Sequence, residues 1–259
     1  MKNYLVIGSV IFLFFPGLTQ AQVEDNFADG DFTNNPTWTG TASAFKVNGN
    51  QELQLNNSSA GSSYLSTPFS AVAIDNYEWS VWIKLSFAPS ANNYARIYLI
   101  SDHSDLTQPL NGYYLQLGEA GNNDAIELFR QAGSSATSVC RAATGGIASA
   151  FAIRIRVKRD AGGLWQLLVD HSGGSSFVQE ATGIDQTIVQ SSFFGVSCLY
   201  TVSNDTKFFF DDFSIVAPTN GSGSNIPVDV TPPRLEAQEI LSDQTLTLSF
   251  SESLERTSA

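Results

Sequence analysis

The chain has 259 residues, with 25 Asp and Glu against 13 Lys and Arg, and a formal net charge of −12. An acidic balance of that size excludes nucleic acid and anionic lipid as natural partners. Apolar residues recur with a period of two and no stretch carries a helical period, which leaves an all-β chain.

The first residues read as a targeting segment. Lys2 is a minimal positive region, Tyr4–Phe15 an apolar core, and Pro16-Gly17 break it before the small residues ending at Ala21. This predicts a secretory signal peptide over residues 1–21. The apolar run is too short to span a bilayer, and no later one approaches ~18 residues. An exported protein, secreted or on the outer cell surface and without membrane insertion, is expected.

The body, residues 22–216, opens on the acidic-aromatic run Val23–Phe32 (VEDNFADGDF) and a turn-rich stretch with Trp38. Short strands follow at Ala44–Val47, Glu52–Asn56 and Ser63–Thr67. In Tyr77–Phe87 the residues Tyr77, Trp79, Val81, Ile83 and Leu85 face one way, and Glu78, Ser80, Trp82 and Lys84 the other. Tyr94–Asp102 continues with Ala95, Ile97 and Leu99 inward and Arg96 and Tyr98 outward. Gly112–Leu117 and Ala125–Gln131 are two further strands. Phe151–Lys158 alternates most cleanly, and Gly162-Gly163 turns it into Leu164–Asp170. Phe193–Tyr200 leads to the closing strand Lys207–Val216 (KFFFDDFSIV). A strict period of two puts Phe208, Phe210, Asp212 and Ser214 on one face of that strand. Phe209, Asp211, Phe213 and Ile215 fall on the other. The opening and closing runs are expected to be neighbours in space.

Short strands at regular spacing predict an antiparallel two-sheet sandwich. Gly, Ser, Asn and Pro then mark residues 217–228 as a flexible linker. Residues 229–259 carry strands at Leu235–Ile240 and Thr245–Phe250, too little chain for a core of its own. They read as the truncated start of a second domain.

Cys140 and Cys198 are the two cysteines. In an oxidising compartment a pair favours a disulfide; two buried free thiols are the alternative.

Three stretches carry a resemblance: Asp25–Gly40, Asn111–Gly118 (NGYYLQLG) and Phe193–Ile215. They resemble the concanavalin A-like, laminin-G-like jelly-roll module of large secreted multidomain bacterial surface proteins. The tail from Asp229 is similar to the start of a bacterial Ig-like domain of the S-layer type. The resemblance implies the jelly-roll fold and downstream domains of a longer parent protein. It also implies a structural calcium ion between first and last strands, without naming ligands.

The residues themselves argue against catalysis. Glycoside hydrolysis needs two carboxylates flanking the bond, and no E-x-D-x-x-E or E-x-D-x-E spacing occurs. Glu119, Asp124 and Glu127 are the nearest approach. His103 and His171 look like turn residues, and no G-x-S-x-G or H-E-x-x-H is present. Calcium wants six to eight oxygens; Asp25, Asp29, Asp31, Asp211 and Asp212 are the candidate ligands, against turn caps and edge charges as the alternative. Sugar binding needs aromatic faces with planar polar groups. Trp82, Arg96, Tyr98, Tyr114, Gln116, Glu127 and Phe129 would form one such patch if their strands are neighbours; cross-strand stabilising pairs are the alternative. The expectation is a non-catalytic module for adhesion or carbohydrate binding, with glycans or other surface proteins as partners. A structural spacer and a divergent glycoside hydrolase are the rivals.

Overall fold

A computed structural model of the chain describes residues 21–217, 235–242 and 245–250. The expected signal segment up to residue 20, and the linker beyond Ala217, lie outside the described residues. The strands are β1 (Ala21–Asp25), β2 (Thr39–Gly40), β3 (Phe45–Val47), β4 (Leu53–Leu55) and β5 (Gly61–Ala71). Then come β6 (Glu78–Leu85), β7 (Tyr94–Ser101), β8 (Leu110–Leu117), β9 (Ile126–Gly133) and β10 (Ser135–Arg141). The first unit ends with β11 (Phe151–Arg159), β12 (Leu164–Asp170), β13 (Val178–Ile184), β14 (Ser191–Tyr200) and β15 (Phe208–Val216). Among the described residues no helix is long and apolar enough to cross a membrane.

These strands make two antiparallel sheets. One runs β13-β12-β11-β6-β15-β4-β3, with β1 also on β15; the other runs β10-β9-β8-β7-β14-β5-β2. The alternation in the sequence decides which side chains meet between them. β6 buries Trp79, Val81, Ile83 and Leu85, β11 buries Ile153, Ile155 and Val157, and the facing sheet supplies Ile97, Leu115 and Val196. Fully burying each such side chain contributes about 1.5–3 kcal/mol. The architecture is therefore the all-β, two-sheet antiparallel sandwich that the periodicity predicts.

The opening and closing strands are neighbours: Val23 pairs with Ile215, Glu24 with Ser214 and Asp25 with Phe213. β15 pairs with β6 along one edge and shares its other edge between β4 and β1. Its side-chain pattern departs from the simple alternation. Phe208, Phe210, Phe213 and Ile215 are all buried, and Asp211 and Asp212 are both half-buried. The cause is a bulge against β6 between Asp211 and Ser214, with Asp212 at φ 48°. One extra residue switches the parity, so both halves of the strand turn phenylalanines into the core. Asp211 and Asp212 consequently do not point to opposite faces of a regular strand.

Behind the seam sits an aromatic nest. Phe213 packs on Trp38 (5.0 Å between ring centroids), on Phe194 (5.5 Å) and on Phe27 (5.9 Å). Asp25 organises it. Trp38 Nε1–H donates to Asp25 Oδ2 at 2.7 Å, and the Phe27 amide donates to Asp25 Oδ1 at 2.9 Å.

Three strands have no counterpart in the sequence reading, β2, β10 and β13. All are sheet edges and mostly exposed, so none shows an apolar alternation. The disulfide expectation is also corrected. Cys140 and Cys198 are free and buried. They lie on β10 and β14, four strand intervals apart in one sheet, or ~19 Å at the usual spacing. A disulfide bridges Cα atoms no more than ~7 Å apart. Burial pushes the Cys140 thiol up to about 11 and the Cys198 thiol up as well, so both stay protonated and inert.

The second unit, Asn220–Ala259, contains an antiparallel hairpin of β16 (Leu235–Ser242) and β17 (Thr245–Phe250).

Two outcomes follow. Asp25→Ala strands the buried Trp38 indole N–H and costs about 1–3 kcal/mol, read from urea denaturation. In non-reducing conditions both cysteines react with a maleimide once the chain is unfolded, and a reductant leaves the melting temperature unchanged.

Candidate functional site

The strand order places β7, β8 and β9 side by side, and their register builds two rungs on the sheet's outer face. Arg96 pairs with Gln116 and Gln116 with Glu127; Tyr98 pairs with Tyr114 and Tyr114 with Phe129. Six of the seven residues expected to form a polar-aromatic patch are thus brought together. Trp82 is not among them. It sits on β6 in the other sheet, opposite Arg154 and Asp211 and close against Gly173, where an added Cβ would lie 3.0 Å from its indole nitrogen.

The aromatic rung is a floor rather than an open platform. Tyr98 is 1% exposed and Tyr114 3%, because the β7–β8 loop folds back over them. Leu106 and Leu110 form a small second core with both tyrosines. Ser66 Oγ donates to the Ser104 carbonyl at 2.7 Å, and Ser101 Oγ to the His103 carbonyl at 2.7 Å. Gly195 makes room for this loop, since a Cβ there would stand 2.8 Å from Leu106 Cδ1. Burial pushes the Tyr98 and Tyr114 phenols up, so both remain neutral. Tyr98 donates to Gln131 Oε1 at 3.2 Å.

Beside the loop lies a cleft of about 330 Å³. Its walls come from the outer faces of β5, β7, β9 and β14 and from the loop: Ser62, Tyr94, Arg96, Gln131, Ser197, Thr107 and Gln108, with Tyr98, Leu106 and Leu199. Arg96 dominates it. Its Nε–H donates to Gln116 Oε1 at 3.0 Å, and its guanidinium lies 4.6 Å from the Tyr114 ring centroid and 5.2 Å from that of Tyr94. Arg96 and Tyr98 were legible in the sequence. Tyr94, Gln131 and Ser197 were not singled out, although Gln131 shares its outward parity with Phe129. Thr107 and Gln108 reach the cleft only through the loop's path, which has no periodic signal.

The carboxylates are committed elsewhere. Arg141 Nη1 contacts Glu127 Oε2 at 2.6 Å, and Arg141 Nη2 contacts Glu119 Oε1 at 2.5 Å. Asp124 Oδ1 accepts the Glu119 amide at 2.8 Å. Both glutamate carboxylates are thus engaged by one guanidinium, and that of Asp124 by a backbone amide. His103 Nδ1 accepts the Asp105 amide at 3.0 Å, and His171 pairs with Glu180 at 2.5 Å.

The five aspartates considered as calcium ligands do not assemble. Among the described residues no three His, Cys, Asp or Glu side chains gather as a metal would require. Asp25 holds Trp38 and Phe27. Asp29 Oδ1 accepts the Asp31 amide at 3.1 Å, and Asp31 Oδ1 accepts the Thr33 amide at 2.6 Å and the Asn34 amide at 3.0 Å. Asp212 pairs with Arg154 at 2.5 Å, and Asp211 accepts the Asp212 amide at 2.7 Å. These are turn caps and an ion pair, and the donor set present does not fit the ion.

No protein-family model matches the chain, and no curated protein matches it. Solved structures do. The exoplasmic/lumenal domain of VIP36, crystallised with Ca2+ and Man3GlcNAc, is 11% identical over 79% of this chain and 92% of its own, with a TM-score of 0.55. The carbohydrate recognition domain of Emp47p is 14% identical over 75% and 92%, with a TM-score of 0.52. Lectin I-B4 from Griffonia simplicifolia, in metal-free form, is 12% identical over 73% and 95%, with a TM-score of 0.50. The fold is the concanavalin A-like sandwich of these carbohydrate recognition domains.

One titration follows from the bulge. Burial, and the charges of Asp212 and Glu52, push Asp211 up to about 6. A carboxyl that binds its proton more tightly when folded stabilises the fold below about pH 4, and that contribution is lost as the pH rises through about 6. Asp211→Asn, which keeps the oxygen acceptor, is therefore as stable as the wild type near pH 4 and more stable at about pH 7, as read from thermal melts.

Proposed function

We propose that residues 22–216 form a non-catalytic carbohydrate-binding module, and that the cleft beside Arg96 is where it takes the sugar. The observation that carries the reading is the cleft itself. It is a concave site on a rigid sheet, with one cation, several amide and hydroxyl groups and a tyrosine edge, which is what orienting a polyhydroxylated ligand needs. Similarity in fold to carbohydrate recognition domains supports it. The commitment of the nearby carboxylates to Arg141 supports binding without turnover. The VIP36 structure contains calcium, but the five aspartates offer no site for it here, so the reading uses no metal.

The wider setting belongs to the same proposal. Export directed by residues 1–21, a linker at 217–228, an Ig-like segment at 229–259 and a surface-adhesion role in a multidomain protein together make a displayed sugar-binding head. A second reading, a spacer without ligand, is favoured by one observation: the protein's own loop covers Tyr98 and Tyr114.

Retention on a panel of polysaccharides separates the two. The wild type is retained, and Tyr94→Ala or Gln131→Ala weakens retention about tenfold, as loss of ~1.4 kcal/mol would. Trp82→Ala on the opposite sheet has no effect. Failure to retain any polysaccharide assigns the spacer role.

A further inference from the structure

Among the described arginines, all but one pair with a carboxylate. Arg130 pairs with Asp185, Arg141 with Glu119 and Glu127, Arg154 with Asp212, Arg156 with Glu78, and Arg159 with Asp75. Among the described arginines only Arg96 has no carboxylate within ion-pair distance, in a chain whose net charge is −12. It is also half-buried and lines the cleft. A cation drawn partly out of water without a counter-charge is unfavourable, and the flanking Tyr94 and Tyr114 rings offset only part of that.

The neighbouring acids cannot turn toward it at no cost. Asp105 Oδ1 accepts from the Thr107 amide at 2.9 Å and from Thr107 Oγ1 at 2.6 Å. Glu127 is held by Arg141. The Gln116 bond to Nε fixes the plane of the guanidinium. Arg96 thus stands as an oriented fork on the cleft wall, a geometry suited to two parallel bonds to one anionic group. Neutral groups of Gln131, Ser197 and Gln108 surround that position and can receive sugar hydroxyls.

We propose that the cleft recognises an acidic saccharide, with Arg96 taking the carboxylate of a uronic acid or the sulfate of a sulfated sugar. This rests on the carbohydrate-binding reading above and adds the charge class of its ligand.

Calorimetry on the full chain tests it with three probes of matched length: neutral galacto-oligosaccharides, oligogalacturonides and sulfated galactan oligosaccharides. At low salt one acidic series binds at least about tenfold tighter than the neutral one, and which series wins identifies the anionic group. Raising the ionic strength to about 1 M, where screening acts within ~3 Å, erodes the preference. Arg96→Gln brings acidic and neutral affinities together, and Arg96→Lys retains part of the gap. Equal wild-type affinity for neutral and acidic probes, or a preference that survives Arg96→Gln, overturns the acidic assignment and leaves the sugar-binding reading standing. Absence of heat with all three overturns the acidic assignment, and absence of retention on the polysaccharide panel as well overturns the sugar-binding reading. The wild-type ratio decides the matter even if Arg96→Gln fails to fold.

Discussion

The structure depends on the ladder between the first and last strands of the body. β15 lies inside its sheet, with β6 along one edge and β4 and then β1 along the other. Without β1 the second half of β15 would present unpaired backbone groups at an open edge. The ladder ends at Asp25, whose carboxylate holds the Trp38 indole and the Phe27 amide. Trp38 and Phe27 both pack on Phe213, three places before the end of β15. The seal and the aromatic nest are therefore a single arrangement. Burial pushes Asp25 up to about 6 in spite of its two donors.

The same device, a bulge, shapes both the seal and the site. In β15 it lets four apolar residues face inward across a change of parity. In β7 a shift against β8 falls between Tyr98 and Ile100. Leu99 and Ile100 both enter the inter-sheet core while Tyr98 stays outward. β14 carries a matching irregularity between Phe193 and Gly195, and Gly195 is where Leu106 comes down onto the sheet. The returning loop and the cleft beside it are products of where the strands lose register.

Ion pairs place all the described arginines except Arg96. Exposed ion pairs contribute little to stability, ~0–1 kcal/mol each. Their effect here is positional: Arg141 ties the β8–β9 loop to β9 through Glu119 and Glu127, and Arg154 ties β11 to the bulge of β15 through Asp212. Arg96, facing the cleft, gives it a local positive field that opposes the protein's overall sign.

Alternation in Tyr77–Phe87 and Phe151–Lys158 already determined two central strands, their inner faces and the sandwich class, because a half-buried strand must alternate whatever its partners. The acidic-aromatic runs at both ends likewise announced the seal. Edge strands β10 and β13 left no such trace, since exposure removes the pressure for apolar residues. The sequence also spelled out Arg96, Tyr98, Tyr114, Gln116, Glu127 and Phe129 as an outward set, but only strand order could make them neighbours and send Trp82 to the other sheet. The parity change at Asp211-Asp212, the burial of Tyr98 under Leu106, and the ~19 Å between the cysteines were decided by tertiary structure alone. Each depends on what a residue meets across the sheet or beneath a loop, and local periodicity carries no information about contacts between residues far apart in the chain.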